Sequence, residues 1–150
     1  MIKVFVPIDD AACSVGANEV ALEIETQAKA RNIEIELIRN GSRGMLWLEP
    51  LVEVEIENKR IGYANVDETN VGKLFETNFL TDKSHKSSIG EVDNHEWIKN
   101  QNRVTFQRVG IIDPLNIKDF ENHGGLTGLK NALKLSSQEI VHEALIRLLH

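Results

Sequence analysis

Apolar and polar side chains alternate in two short stretches in the first half of the chain. Residues 33–38 and 51–56 carry an apolar residue at every second position, with glutamates between several of them. This pattern is typical of a strand with one buried face. Residues 2–6 are mostly apolar and partly β-branched, and Pro7 ends the run, which predicts a first strand. The spacing therefore predicts three strands before residue 57.

Helical spacing separates and follows these strands. After a predicted loop at residues 9–16, residues 17–31 repeat apolar positions on one helical face, and Asn32 suits the C-terminal cap. Residues 57–63 are typical of a hairpin, and a second amphipathic helix is predicted from an Asp67 cap to Phe79. The order strand, helix, strand, loop, hairpin, helix predicts an α/β fold. It is a small open sheet covered by helices, of the thioredoxin-like kind.

The second half of the chain has a weaker pattern. Residues 81–102 are rich in Lys, Ser and Asn and predict a linker or surface strap, with Trp97 and Ile98 as points that dock it. Residues 103–150 predict one strand at 104–112 and short helices, among them 116–122, 126–135 and a last helix capped by Ser136. These residues are few for an independent core, so they are expected to begin a larger domain.

Composition narrows the class of protein. Hydrophobic residues make up 41% and charged residues 27% of the 150 positions, and no apolar run approaches the roughly 20 residues that span a bilayer. The N-terminus lacks the cleavage region of a signal peptide, so a cytoplasmic location is expected. A net charge of −6 with scattered positive residues disfavours a nucleic-acid partner.

Cys13 is the one cysteine, which excludes an internal disulfide and a four-cysteine metal site built by this chain alone. It precedes a predicted helix, where a thiol can be activated, although a small packed residue is the simpler interpretation. Asp9 and Asp10 suit acid–base chemistry or a helix cap. No pair of histidines has the spacing of metal ligands among His85, His95, His123, His142 and His150. No catalytic, cofactor-binding or metal-binding residue is therefore predicted.

The loop at residues 41–50 reads Gly-Ser-Arg-Gly-Met-Leu-Trp-Leu-Glu-Pro. Its glycines permit a tight turn, as in loops that hold clusters or phosphates, but it has no Cys, His or Gly-Lys-Ser/Thr. Ser42 does not form a nucleophile elbow, and Arg43 could meet an anion. The loop has the outline of a binding site without the usual ligands.

Two blocks carry a family resemblance. They are residues 41–54 and residues 103–114, the second continuing through His123-Gly124-Gly125 and Gly128-Leu129. In these blocks the chain resembles the N-terminal part of the NADH-oxidising flavin subunit of NAD-dependent formate dehydrogenases. Related subunits occur in NAD-reducing hydrogenases and in bacterial complex I.

The first part also resembles thioredoxin-like [2Fe–2S] ferredoxins. The resemblance places the four cluster-ligand positions on Ile8, Cys13, Ser42 and Leu46, of which only Cys13 is a cysteine. It therefore implies a ferredoxin fold that has lost its cluster. Pro50 matches a position where thioredoxin-like folds often carry a cis-proline, so a cis Glu49–Pro50 bond is expected.

The resemblance implies a thioredoxin-like domain at 1–80, a linker at 81–102 and an incomplete piece of a flavin- and NADH-binding domain at 103–150. The resemblance assigns FMN, NAD and iron–sulfur clusters to the full-length relatives, and this sequence is expected to stop before the segments that bind them. The chain is then expected to be either a fragment or a natural short protein. The expected function is a non-catalytic docking module whose contact surface is the glycine loop with Trp47. Its expected partners are other subunits of the complex, in particular a [2Fe–2S] thioredoxin-like subunit, and not nucleic acid or a membrane.

Two alternatives remain open. One is a thiol-redox protein that uses Cys13 on a thioredoxin-like fold. The other is a small adaptor unrelated to NADH oxidation.

Overall fold

A computed structural model of the chain describes residues 1–82 and 84–148. One five-stranded sheet organises its first part, in the order β2-β1-β3-β4-β5. The strands are β1 Ile2–Phe5, β2 Ile35–Ile38, β3 Val52–Ile56, β4 Lys59–Tyr63 and β5 Ser88–Glu91. The helices are α1 Asp10–Ser14, α2 Ala17–Ala30, α3 Glu68–Glu76, α4 Glu96–Lys99, α5 Ile117–Asn122, α6 Thr127–Ala132 and α7 Ser137–Leu148. Single 3-10 turns lie at Leu46–Leu48 and Val92–Asn94.

Strand pairing follows from the short connections. β1 and β2 are parallel because α2 crosses over between them, and the other neighbours are antiparallel. Glu57 and Asn58 connect β3 to β4, and both have positive φ, 54° and 61°. This conformation matches the twist of a two-residue hairpin, and it confirms the predicted hairpin.

One face of the sheet is covered by α2 and α3. Val4, Val52, Val54 and Ile61 point into this core, and they meet the apolar stripes of the two helices, which include Val20, Ala21, Ile24, Val71, Leu74 and Phe75. Both predicted helices are confirmed, with the second ending earlier than Phe79. Asp67 caps α3 as expected, and Asn32 beyond α2 takes the left-handed φ of 55°.

The opposite face of the sheet carries polar and aromatic side chains. Phe5 pairs in register with Glu53, and Glu53 with Gly62. Because side chains alternate along a strand, Phe5, Glu53 and Arg60 lie on the face away from the helical core. The alternating pattern of residues 51–56 predicted a half-buried strand, but Glu53 is fully buried, so this second face is also covered.

Three local predictions were wrong. The expected loop at 9–16 contains α1, because Asp9 accepts a hydrogen bond from the Ala12 N–H and caps a helical turn. The predicted linker contains β5, whose pairing with β4 completes the sheet. Residues 104–112 form turns instead of a strand. Val104, Phe106 and Val109 are exposed while Ile112 is buried, so the apolar run does not mark a buried strand.

The chain divides into two compact units, Met1–Pro114 and a second that begins at Leu115. The predicted linker at 81–102 therefore lies inside the first unit. Whether residues 103–150 begin a flavin-binding domain stays a prediction.

The second unit confirms the three predicted helices. Asn116 caps α5 through hydrogen bonds from the N–H groups of Lys118 and Asp119. Ser136 and Glu139 cap α7 reciprocally, since the Glu139 carboxylate accepts from the Ser136 N–H at 2.7 Å. Within residues 1–82 and 84–148, every helix is too short or too polar to cross a membrane.

Candidate functional site

The glycine loop, residues 41–50, is held by its own polar side chains. Ser42 Oγ donates to Glu49 Oε1 at 2.8 Å and accepts from the Gly44 N–H at 3.0 Å. Glu49 Oε2 accepts from the Leu51 N–H at 2.8 Å. The Glu49–Pro50 bond is cis, as expected. Burial raises the pKa of the Glu49 carboxyl, although its hydrogen bonds from Leu51 and Ser42 work in the opposite direction.

Arg43 points from this loop into the protein and not towards solvent. Its side chain is 2% exposed, and its guanidinium donates to both oxygens of Glu53, at 2.9 Å and 2.8 Å. A third nitrogen donates to Asp93 Oδ1 at 3.2 Å. Burial works to lower the pKa of Arg43, but the hydrogen bonds and charges of Glu53 and Asp93 leave it raised. The main anion that Arg43 binds is therefore a carboxylate of the protein itself, that of Glu53.

Arg60 completes a buried charge cluster around Glu53. Its guanidinium lies 3.6 Å from Glu53 Oε2 and its Cζ lies 3.6 Å from the centre of the Phe5 ring. Burial and the neighbouring charge of Arg43 lower the pKa of Arg60, partly offset by Glu53, yet a guanidinium stays protonated in proteins. One carboxylate therefore sits between two positive charges, an arrangement that sequence reasoning missed. No spacing in the sequence links these three residues.

Residues 103–112 lie against this cluster. Arg60 donates to the carbonyl oxygens of Gly110 at 3.3 Å and Ile111 at 2.6 Å. Asn40, which is buried, donates to the same Gly110 oxygen at 2.9 Å. These bonds use backbone carbonyls that a strand would pair with a neighbour, which accounts for the turns in this segment.

Gly110 is where the two sequence blocks meet. It has a φ of +78°, and a Cβ at this position would lie 2.7 Å from Arg43 Cδ and 2.8 Å from the Ser42 carbonyl oxygen. Arg103 adds a hydrogen bond from its guanidinium to the Arg43 carbonyl oxygen at 2.7 Å. Glycine is needed at position 110 both for its conformation and for this close approach.

Two tryptophans form the exposed side of the same region. Trp47 lies in the 3-10 turn of the glycine loop and Trp97 lies in α4, and their ring centres are 5.2 Å apart, edge to face. They are 55% and 49% exposed. A small apolar cluster of Met45, Leu51 and Val92 lies in this part of the first unit, and Ile98 packs against it. Ile98 is therefore an anchor, as predicted, whereas the Trp97 ring stays half exposed.

The four positions that the resemblance assigned to a cluster do not suit one. Cys13 Sγ donates to the Ile8 carbonyl oxygen at 3.4 Å and contacts Asn18 Oδ1 at 3.5 Å. The Ser42 hydroxyl is engaged with Glu49, and Ile8 and Leu46 have hydrocarbon side chains. One thiol cannot replace the four ligands that a [2Fe–2S] cluster takes. In the described part of the chain, no three His, Cys, Asp or Glu side chains converge on a metal-sized site.

His85, His95 and His123 have local contacts. His95 caps α4, because its Nδ1 accepts from the Trp97 N–H at 3.2 Å, and His85 Nδ1 accepts from the Ser87 N–H at 3.1 Å. His123 lies 3.1 Å from Asp119 in the second unit. His142 is exposed on α7, and His150 lies outside the described residues.

Comparison with known proteins gives a fold likeness. No model of a protein family matches the chain, and none of the curated proteins matches it. A structure of the thioredoxin-like [2Fe–2S] ferredoxin from Aquifex aeolicus aligns with a TM-score of 0.52 at 15% identity, over 61% of this chain and 93% of that one. A cysteine-to-serine variant of that ferredoxin aligns with a TM-score of 0.52 at 17% identity, over 61% of this chain and all of the other. The wild type at 1.5 Å resolution gives 0.51 at 14% identity, over 61% and 98%.

These values show the fold. The predicted α/β, thioredoxin-like ferredoxin fold is confirmed. At such low identity the likeness carries no activity, cofactor or partner to this chain.

Proposed function

We propose that this chain is a non-catalytic docking module of an NADH dehydrogenase or diaphorase subunit, of the NAD-dependent formate dehydrogenase type. Its parent complex moves electrons between NADH and iron–sulfur centres through FMN in the cytoplasm. The chain itself binds none of these cofactors. Its role is to hold other subunits of the complex, in particular a thioredoxin-like [2Fe–2S] subunit. Residues 103–150, of which 103–114 pack within the first unit, begin the flavin domain.

One observation carries this proposal. The chain has the fold of thioredoxin-like ferredoxins. The positions assigned to the cluster ligands nevertheless hold one thiol, one hydroxyl that is hydrogen-bonded to Glu49, and two hydrocarbon side chains. A fold that keeps its loop but not the donor atoms for electron transfer retains a surface rather than a redox centre. That surface carries the Trp47–Trp97 pair.

The tryptophan pair has the properties of an interface anchor. Tryptophan is enriched among residues whose truncation weakens protein complexes most. Two half-exposed rings that contact each other present a large apolar surface to a partner. The net charge of −6 points to a protein partner rather than nucleic acid.

Binding to the [2Fe–2S] subunit of the same complex, measured by calorimetry, tests the docking role. Trp47→Ala is expected to weaken binding by about 2 kcal/mol, roughly thirtyfold. Leu22→Ala is the matched control, because Leu22 is another apolar residue with more than half its surface exposed, and it lies on α2, which covers the other face of the sheet. Unchanged affinity in Trp47→Ala would remove Trp47 from the interface. Absence of binding by the unaltered chain would overturn the docking role.

Two further measurements test the loss of the cluster and the thiol-redox alternative. The purified chain is expected to be colourless, and a visible absorption band with stoichiometric iron would contradict the loss of the cluster. Cys13→Ser is expected to leave binding unchanged. A thiol–disulfide exchange activity of the chain that is abolished by Cys13→Ser would support the thiol-redox alternative, which otherwise stays a prediction.

A further inference from the structure

We propose that Arg43 is the positioning residue of the Trp47–Trp97 pair. One buried guanidinium ties the two segments that carry the tryptophans to the centre of the sheet. The geometric part of this inference is independent of the proposed function, and only its effect on binding rests on the docking role.

The contacts of Arg43 run in three directions. Its own backbone belongs to the glycine loop that leads into Trp47. One nitrogen donates to Asp93, in the 3-10 turn directly before the helix of Trp97. The other two donate to Glu53 on the central strand β3. The segments of both rings are thereby fixed to one point of the sheet.

The guanidinium is suited to this task. It is planar, and its paired bonds to a carboxylate fix the direction of the side chain, which an ammonium group does not do. The aliphatic part of Arg43 packs against the backbone of Gly110, so closely that a Cβ added at position 110 would lie only 2.7 Å from Arg43 Cδ. The Arg43 side chain is therefore held by Glu53 at its guanidinium and by Gly110 along its aliphatic part.

The ring contact by itself is a weak constraint. Trp47 and Trp97 meet edge to face, but each residue has about half its surface exposed to solvent. Exposed side chains change rotamer rapidly when their segments move. The relative placement of the rings therefore depends on the segments beneath them. Arg43 joins these segments directly by hydrogen bonds, and Gln101 with Arg103 forms a second, indirect link between the carbonyl oxygens of Trp97 and Arg43.

The chain offers a clean spectroscopic reporter. Trp47 and Trp97 are its two tryptophans, so an exciton couplet in circular dichroism reports the geometry of this pair alone. Asp93→Ala removes the link to the Trp97 segment and keeps the Arg43–Glu53 pair. Glu91→Ala is the matched control, because it removes a neighbouring carboxylate whose partner is Lys59, at 2.8 Å.

The expected result is loss of most of the couplet in Asp93→Ala and its retention in Glu91→Ala. Amide hydrogen exchange in residues 95–99 is expected to become up to about fivefold faster in Asp93→Ala alone, a factor that corresponds to about 1 kcal/mol, because the Asp93 side chain is 56% exposed. Arg43→Lys keeps the positive charge and loses the paired hydrogen bonds to Glu53, and it is expected to lose the couplet as well. Retained couplet and exchange rates in both Asp93→Ala and Arg43→Lys would overturn the positioning role, as would equal effects in Glu91→Ala.

Binding to the [2Fe–2S] subunit distinguishes this inference from the proposed function. Loss of the couplet with unchanged binding would support positioning by Arg43 and refute docking through the tryptophans. An intact couplet in Asp93→Ala, combined with weak binding by Trp47→Ala, would refute positioning and support docking.

Discussion

Glu53→Gln tests the buried charge cluster most directly. The Glu53 carboxylate is fully buried and accepts two of the three hydrogen bonds of the Arg43 guanidinium, with Arg60 at 3.6 Å. An amide at this position keeps the shape of the side chain and removes its charge. Two guanidiniums would then share a buried site whose remaining counter-charge is the partly exposed Asp93, 3.2 Å from Arg43.

The expected cost follows from this loss. Breaking a buried ion pair by removing one partner costs about 3 to 5 kcal/mol. The amide oxygen can still accept one hydrogen bond from Arg43, so we expect the low end, about 3 kcal/mol. Glu55 is the matched control on the same strand and face, because its partner Lys3 lies at 3.3 Å and both side chains are partly exposed. Glu55→Gln is expected to cost less than about 1 kcal/mol.

Urea unfolding followed by tryptophan fluorescence is the assay, since both tryptophans belong to the Met1–Pro114 unit. With a slope of about 2 kcal/mol per molar urea, the Glu53→Gln midpoint should fall by roughly 1.5 M and the Glu55→Gln midpoint by less than about 0.5 M. Midpoints that agree within about 0.2 M would refute the argument that the cluster depends on the Glu53 charge.

Three further predictions concern single positions. Gly110→Ala should cost at least about 2 kcal/mol more than Gly90→Ala, because both have φ near +78° but only Gly110 would place a Cβ against other atoms; urea midpoints check the difference, and equal costs would contradict the close approach. Burial raises the pKa of Glu49 above its unfolded value, so its stabilising contribution is present at acid pH and is lost as pH rises through the folded pKa; Glu49→Gln should flatten the pH dependence of the urea midpoint, and an unchanged slope would count against it. Burial raises the pKa of Tyr63 to about 12, so stability should fall as pH rises above the unfolded value of about 10; ultraviolet titration of the phenol in the folded chain tests this, and ionisation near pH 10 would refute it.

The fold followed from periodicity where a segment has one buried face. β1, β3, α2 and α3 were predicted because their apolar residues recur at the spacing of a strand or a helix. β5 was missed because Ser88–Glu91 contains one large apolar residue, and its place at the sheet edge comes from pairing with β4. Tertiary pairing of this kind leaves no local signal.

The buried charge cluster could not be predicted for a different reason. An alternating strand with glutamates indicates one face in the core and one face in solvent. Nothing in residues 51–56 indicates that Glu53 is buried while Glu55 is partly exposed. The cover comes from residues 40–43 and 103–112, which are distant in sequence and irregular in structure. Gly110 gave the only local hint, because a glycine within an apolar run suggests a close backbone approach.

The proposed loss of the cluster raises the question of what keeps the glycine loop in shape. A bound metal centre contributes folding free energy by joining segments that lie apart in sequence. Here Arg43 joins the loop, β3 and the turn of Asp93, while Glu49 joins Ser42 to the Leu51 backbone. The burial of two guanidiniums and a carboxylate costs desolvation free energy, so this cluster is not expected to add as much net stability as its short distances suggest. Its contribution is directional: the paired bonds to Glu53 fix the orientation of Arg43, and the proposed positioning of the segments that carry Trp47 and Trp97 depends on that orientation.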